Sequence, residues 1–133
     1  MRFLTLAEAL AIAQQITEID AITLANASRI DLLDSALHAP QANYGNTDFY
    51  TNFFDKAAVL CSRISQNHAL PDGNKRLSWM CLVIFCDMNG WQLHVEKNEA
   101  VQMMVELAEG AISEVQLARW INERCQRNDG YWI

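Results

Sequence analysis

The chain has 133 residues, 51% of them hydrophobic and 20% charged, with a formal net charge of −6 and a pI near 4.9. That length suits one domain around one core, the composition excludes a disordered chain, and the charge excludes an overall basic field for holding nucleic acid. Cys61, Cys81, Cys86 and Cys125 lack CxxC spacing and histidine partners at zinc-site spacing. All four sit in apolar stretches expected to be helical, and they read as buried, reduced thiols of a cytoplasmic protein. The first ten residues carry Arg2, Thr5 and Glu8, unlike a secretory leader. The longest apolar run, about 12 residues, is too short to span a bilayer.

In chain order, Thr5 with Glu8 three residues later forms a capping box, and Leu6, Leu10, Ala13 and Ile16 follow at helical spacing to about residue 19. Residues 20–29 are ambiguous, with Asn26 and Ser28 as breakers. Residues 30–38 read as a short helix stopped before Pro40. Residues 41–47 hold Asn43, Tyr44, Gly45 and Asn46, strong turn formers that suit a small hairpin or flap. Thr47 or Asp48 is the expected cap of the next helix, whose inward stripe is Phe54, Ala57, Ala58, Cys61 and Ile64.

A helix from Gly73 to Met88 is apolar on nearly every side, which places it at the centre of a helical bundle. Its methionines and tryptophan then belong to the core, and Asn89 and Gly90 end it. Residues 91–95 read as a short extended connection. Asn98 is the expected cap of a helix stopped at Gly110, and Ser113 with Gln116 is a second capping box opening a helix through Cys125. Residues 126–133 form a possible exposed tail ending in Tyr131, Trp132 and Ile133, whose apolar character calls for a docking place.

The most informative stretch is His68, Ala69, Leu70, Pro71, Asp72, Gly73, Asn74, Lys75 and Arg76. Pro71 and Gly73 around an aspartate are turn chemistry before a helix start, with Asp72 as the candidate cap. Lys75 and Arg76 then fall in the first turn, where the helix already carries about half a positive charge and a cation typically costs about 0.3–1 kcal/mol. A local rule broken twice in succession points to a functional site. An anion held by both cations and the free first-turn amides compensates, and a phosphate fits best. The bland reading pairs the two cations with acids such as Asp72 or Asp87.

This stretch resembles the signature of the Fic/Doc family, His-x-Phe-x-Asp/Glu-Gly-Asn-x-Arg, and Lys75 at the variable position resembles its Doc branch. The strings Asp31 to Leu37, Lys56 to Ala58, Asn89 with Gly90, and Leu117 to Ile121 fall where the family has similar ones. The resemblance implies an all-α Fic fold and the toxin of a toxin–antitoxin pair. It implies transfer of the ATP γ-phosphate to a threonine of elongation factor Tu, with Mg²⁺, which stops translation. An antitoxin of the Phd type would dock a helix in trans, since this chain lacks the Ser/Thr-x-x-x-Glu-Gly/Asn string of the family's built-in inhibitory helix. Leu70 replaces the usual Phe, a small change if that side chain only anchors the loop in the core.

On that resemblance His68 takes the proton of the attacking hydroxyl, a task its unperturbed pKa near 6.5 suits. Asp72 is the magnesium ligand. Gly73 admits the ligand to the backbone, the Asn74 amide donates to a phosphate oxygen, and Lys75 and Arg76 bind phosphate as a point charge and a fork. Asn43, Tyr44 and Gly45 form a flap over the target segment, although a plain surface turn explains them as well. His38 and His94 have no such company and read as surface residues.

Two other chemistries compete with this one. AMP transfer is the nearer, but AMP-transferring Fic proteins have Gly where Lys75 stands and a second Arg where Trp79 stands. A ribonuclease of the HEPN type is suggested by Arg63 and His68 in an Arg-x4-His spacing, a pattern that arises by chance and leaves Lys75 and Arg76 unexplained.

Overall fold

The structure is a computed structural model that describes residues 1–128. Among these residues it holds seven α-helices, one 3-10 turn and two small two-stranded sheets. Helix α1 (Leu6–Thr17) opens on the expected box: the Thr5 side chain accepts from the Glu8 N–H and the Glu8 carboxylate accepts from the Thr5 N–H. The Thr5 amide, with help from Arg2, holds the Glu8 carboxyl below the usual carboxylate range. The ambiguous segment is helix α2 (Ala21–Ala27), capped by Asp20. Helix α3 (Ile30–His38) runs into a 3-10 turn (Ala39–Gln41) that carries Pro40.

A hairpin of β1 (Asn43–Tyr44) and β2 (Thr47–Asp48) follows, paired Asn43 to Asp48 and Tyr44 to Thr47. Gly45 takes φ +64° in its two-residue turn, a value glycine adopts without strain. Because Thr47 and Asp48 are spent on this pairing, neither caps the next helix. Asn52 does so for α4 (Phe53–Asn67), accepting from the Asp55 N–H.

Helix α4 is the most deeply buried element, and this displaces α5 (Asn74–Met88) from the centre. Nine of its side chains are buried, including Lys56, Ser62 and Ser65, against six in α5. The small residues Ala57, Ala58 and Ser62 let neighbours approach α4 closely, so side-chain size and not apolar content decides which helix is central. It packs on α3, α5, α6 and α7. Helix α5 buries Leu77, Cys81, Leu82, Phe85 and Cys86 and leaves Trp79, Met80, Val83 and Ile84 half-covered.

Strand β3 (Trp91–Leu93) pairs antiparallel with β4 (Cys125–Arg127), so the start of the expected tail is a paired strand and Cys125 is not helical. Tyr131, Trp132 and Ile133 lie outside the described residues. Helix α6 (Lys97–Ala108) begins after Glu96, which makes Asn98 its second residue and not its cap. Helix α7 (Glu114–Arg124) has the expected Ser113–Gln116 box. Cys61, Cys81 and Cys86 are buried free thiols, and burial pushes Cys61 and Cys81 up to about 12. No described helix is long and apolar enough to cross a membrane.

Candidate active site

The signature stretch is the loop between α4 and α5. His68 ends α4 in the left-handed region, φ 49° and ψ 47°, and is exposed. The next two residues turn inward: Ala69 and Leu70 are 5% and 4% exposed and belong to the core. Leu70 thus performs the anchoring expected of the residue at that position. The Arg29 N–H donates to the Ala69 carbonyl at 2.8 Å, and Asn67 Nδ2 donates to the Leu32 carbonyl at 3.0 Å. The loop is therefore tied to the start of α3 on both sides of His68.

Two site residues do something other than expected. The cap of α5 is Gly73, φ 88°, and no side chain caps the helix, so Asp72 is not the cap. Asn74 turns its amide back on the loop: Oδ1 accepts from the Leu70 N–H and Nδ2 donates to the Leu70 carbonyl, both at 3.0 Å. In this arrangement its side chain holds the loop shut and is not aimed as a phosphate donor. Gly73 is called for by its positive φ, and a side chain there would crowd its neighbours. A Cβ there would stand 3.3 Å from Thr17 Cγ2 and 3.4 Å from the Arg76 guanidinium.

What remains at the start of α5 is strongly positive. The first bonded amide is Leu77, which donates to the Gly73 carbonyl at 2.9 Å. The amides of Asn74, Lys75 and Arg76 precede it and meet no protein acceptor among the described residues. Lys75 is exposed and pairs with neither Asp72 nor Asp87. Arg76 also avoids both acids. Its Nη1 donates to the Ile16 carbonyl at 3.3 Å, at the C-terminal end of α1, where the helix dipole welcomes a cation. One of the two misplaced cations is thus partly accounted for within the protein, and Lys75 is not.

Beside these cations runs an apolar groove of about 680 Å³ between α5 and α6, walled by Trp79, Met80, Val101 and Met104 and rimmed by Lys75, Arg76 and Lys97. Trp79 and Met80 are half-buried and line this groove, Trp79 also packing against the core. The signal was present in the sequence: a helix apolar on nearly all sides, with neighbours on only some, leaves an uncovered apolar face.

The flap residues form the exposed hairpin before α4. The Asn43–Asp48 hairpin precedes α4 in the chain, and Tyr50, just beyond it, reaches along α4 to Arg63, whose Nη2 donates to the Tyr50 hydroxyl at 3.5 Å. Tyr44 is 81% exposed and Phe49 62%. Asp72 is an exposed single carboxylate, and no cluster of three or more metal-binding side chains occurs among the described residues. Arg63 bonds Glu114 on α7 at 3.2 Å, which commits it to the α4–α7 packing rather than to a partnership with His68.

A sequence model of the Fic/DOC family matches residues 3–86, from the approach to α1 through most of α5. The chain is similar to a protein named "Toxin Doc" from Mycolicibacterium smegmatis, 42% identical over 84 residues that make up 63% of this chain and 60% of that protein. The matched span contains the signature loop, all of α4 and most of α5, and on these grounds the chain belongs to the Fic/DOC family.

Proposed function

We propose that this chain is the toxin of a toxin–antitoxin pair and moves the γ-phosphate of ATP to a threonine hydroxyl of elongation factor Tu, stopping translation. The observation that carries this reading is the start of α5: three unbonded amides and the unpaired Lys75, immediately after a loop that holds His68 and Asp72. Preorganised charge of this kind is the main catalytic device in phosphoryl transfer. The γ-phosphate oxygens lie against those amides and Lys75, and the Arg76 guanidinium, already anchored on Ile16, closes the cradle from the α1 side.

His68 receives the proton of the threonine hydroxyl as its oxygen bonds to phosphorus and the bond to ADP breaks. The ties at Ala69 and Asn67 keep its backbone in place for that task. The donor set fits magnesium carried by the nucleotide, since one exposed carboxylate, Asp72, with phosphate oxygens and water suffices for that ion. When bound, magnesium neutralises charge building on the bridging oxygen.

The partner in the pair is an antitoxin of the Phd type, and its docking place is the α5–α6 groove. An apolar helix flanked by acidic residues suits those walls and the rim of Lys75, Arg76 and Lys97 in a chain of net charge −6. Bound there it covers Lys75 and Arg76 and excludes the nucleotide.

Purified elongation factor Tu incubated with this chain and ATP labelled at either the α or the γ phosphorus tests the reading. Label from the γ position only is expected. Label from the α position reverses the assignment to AMP transfer, and label from neither ends it.

A further inference from the structure

Lys56 is the only charged side chain among the described buried residues, 7% exposed in the second turn of α4. An ammonium placed there loses its water, and an apolar side chain of similar length would fill the space without that loss. Its surroundings show what it holds. The Nζ donates to the Pro40 carbonyl at 3.4 Å and to the Tyr50 carbonyl, and it lies 3.5 Å from the Asp48 carboxylate. These oxygens come from the turn before the flap, from its second strand, and from the segment after it. Two of the ammonium's donors are thus bonded to the stems of the flap, and its charge faces the Asp48 carboxylate on the second strand.

The flap has little else to fix it. Both strands are two residues long and exposed, and beyond their own pairing the Phe49 N–H to Ala42 carbonyl bond, 3.0 Å, closes the neck. A hairpin of that size has no stable orientation of its own. Pro40 is buried and the 3-10 turn packs on α3 and α4, so that turn has support besides the ammonium, whereas both strands of the hairpin are exposed.

We propose that Lys56 is a positioning residue for the protein substrate: it holds the flap at the angle at which the target segment is received. The inference rests on the phosphotransfer reading above, with this hairpin as the flap over the target segment. Lys56 stands about 18 Å along α4 from His68, too far to touch the reacting atoms. It acts through Asp48 and the flap backbone, so its effect falls on capture of the target and not on ATP.

The test is transfer of γ-labelled phosphate to purified elongation factor Tu, with ATP and the factor varied separately, for wild type and Lys56→Met. The KM for the factor is expected to rise about tenfold, with the KM for ATP and kcat within about twofold. Hydrogen exchange at Tyr44 and Phe49 accelerates while α4 and α5 keep their protection. An unchanged KM for the factor, or both KM values moving together, overturns the inference. If Lys56→Met does not fold, Asp48→Ala decides. It removes one exposed carboxylate, and a rise of about threefold in the KM for the factor is expected, whereas no rise overturns the proposal. A wild type that labels nothing is a different result: it sinks the phosphotransfer reading and the target role together, whatever hydrogen exchange says of the hairpin.

Discussion

Two helix junctions lie side by side in this protein and are built in opposite ways. The α1–α2 junction ends α1 on Glu18, whose N–H returns to the Gln14 carbonyl, and starts α2 on Asp20, whose carboxylate accepts from the Thr23 N–H and hydroxyl. The Ala21 N–H is taken by Gln14 Oε1. The α4–α5 junction ends on His68 without a returning cap bond and starts on Gly73 without a side-chain cap. The two touch, since Arg76 bonds Ile16 and Thr17 packs near Gly73. Every other described α-helix has a side-chain cap at its start or an acid in its first turn, and α5 has neither. A cap is worth about 0.5–2 kcal/mol, small beside the burial of Leu77, Leu82 and Phe85 at about 1.5–3 kcal/mol each. Helix α5 is held by its body, which leaves its first turn free to hold a ligand.

The largest effect that separates the junctions is on rate. His68→Ala is expected to slow phosphate transfer by about 100- to 10,000-fold, the usual span for general-base help, with nucleotide affinity retained. Glu18→Ala, at the equivalent place in the closed junction, leaves the rate alone. A single-turnover assay with wild type and both variants checks this. A His68→Ala rate within about threefold of wild type would make the two junctions chemically equal and remove His68 from the mechanism.

Next in size is binding. Lys75→Ala is expected to weaken nucleotide binding about tenfold at low salt and less at high salt, because the contact is exposed and charge-assisted. Titration calorimetry at two salt concentrations reads both numbers. Arg76→Ala has a second consequence, since it also vacates the Ile16 carbonyl, so its loss of affinity comes with a lower melting temperature. If Lys75→Ala binds ATP as wild type does, Lys75 is no part of the cradle, which then falls to the bare amides and Arg76.

Much of the closed architecture was legible from residue types. The Thr5–Glu8 and Ser113–Gln116 boxes, the span of α3 and the Gly45 turn each follow from a local pattern that needs no tertiary partner. The errors came where long-range packing decides. Thr47 and Asp48 had cap chemistry but were claimed by a hairpin, and α4 outranked α5 in burial because small side chains admit neighbours. At the site, the sequence placed His68 and the two cations correctly in one loop and one helix turn. It missed the Asn74–Leu70 clasp and the Arg76–Ile16 bond, because each depends on a backbone carbonyl that no motif displays.

The smallest effect concerns strain, and it tests whether the open junction is open for function. Glu18 and His68 are the two non-glycine residues with positive φ among those described, 61° and 49°. The left-handed region costs an L residue about 1–2 kcal/mol, and glycine returns about 0.4–1 kcal/mol of that through the greater freedom of the unfolded chain. Glu18→Gly and His68→Gly are therefore each expected to gain about 0.5–1 kcal/mol, read as a rise of about 2–4 °C in melting temperature. The first should keep activity and the second should lose it. At Glu18 the conformation closes a helix end with a bonded amide, so strain there has a structural use. At His68 no cap bond accompanies it, and on the phosphotransfer reading the strain is kept for the sake of the imidazole. A His68→Gly variant that melts lower than wild type would mean the ring itself holds the loop, and the contrast between the junctions would then be one of packing rather than chemistry.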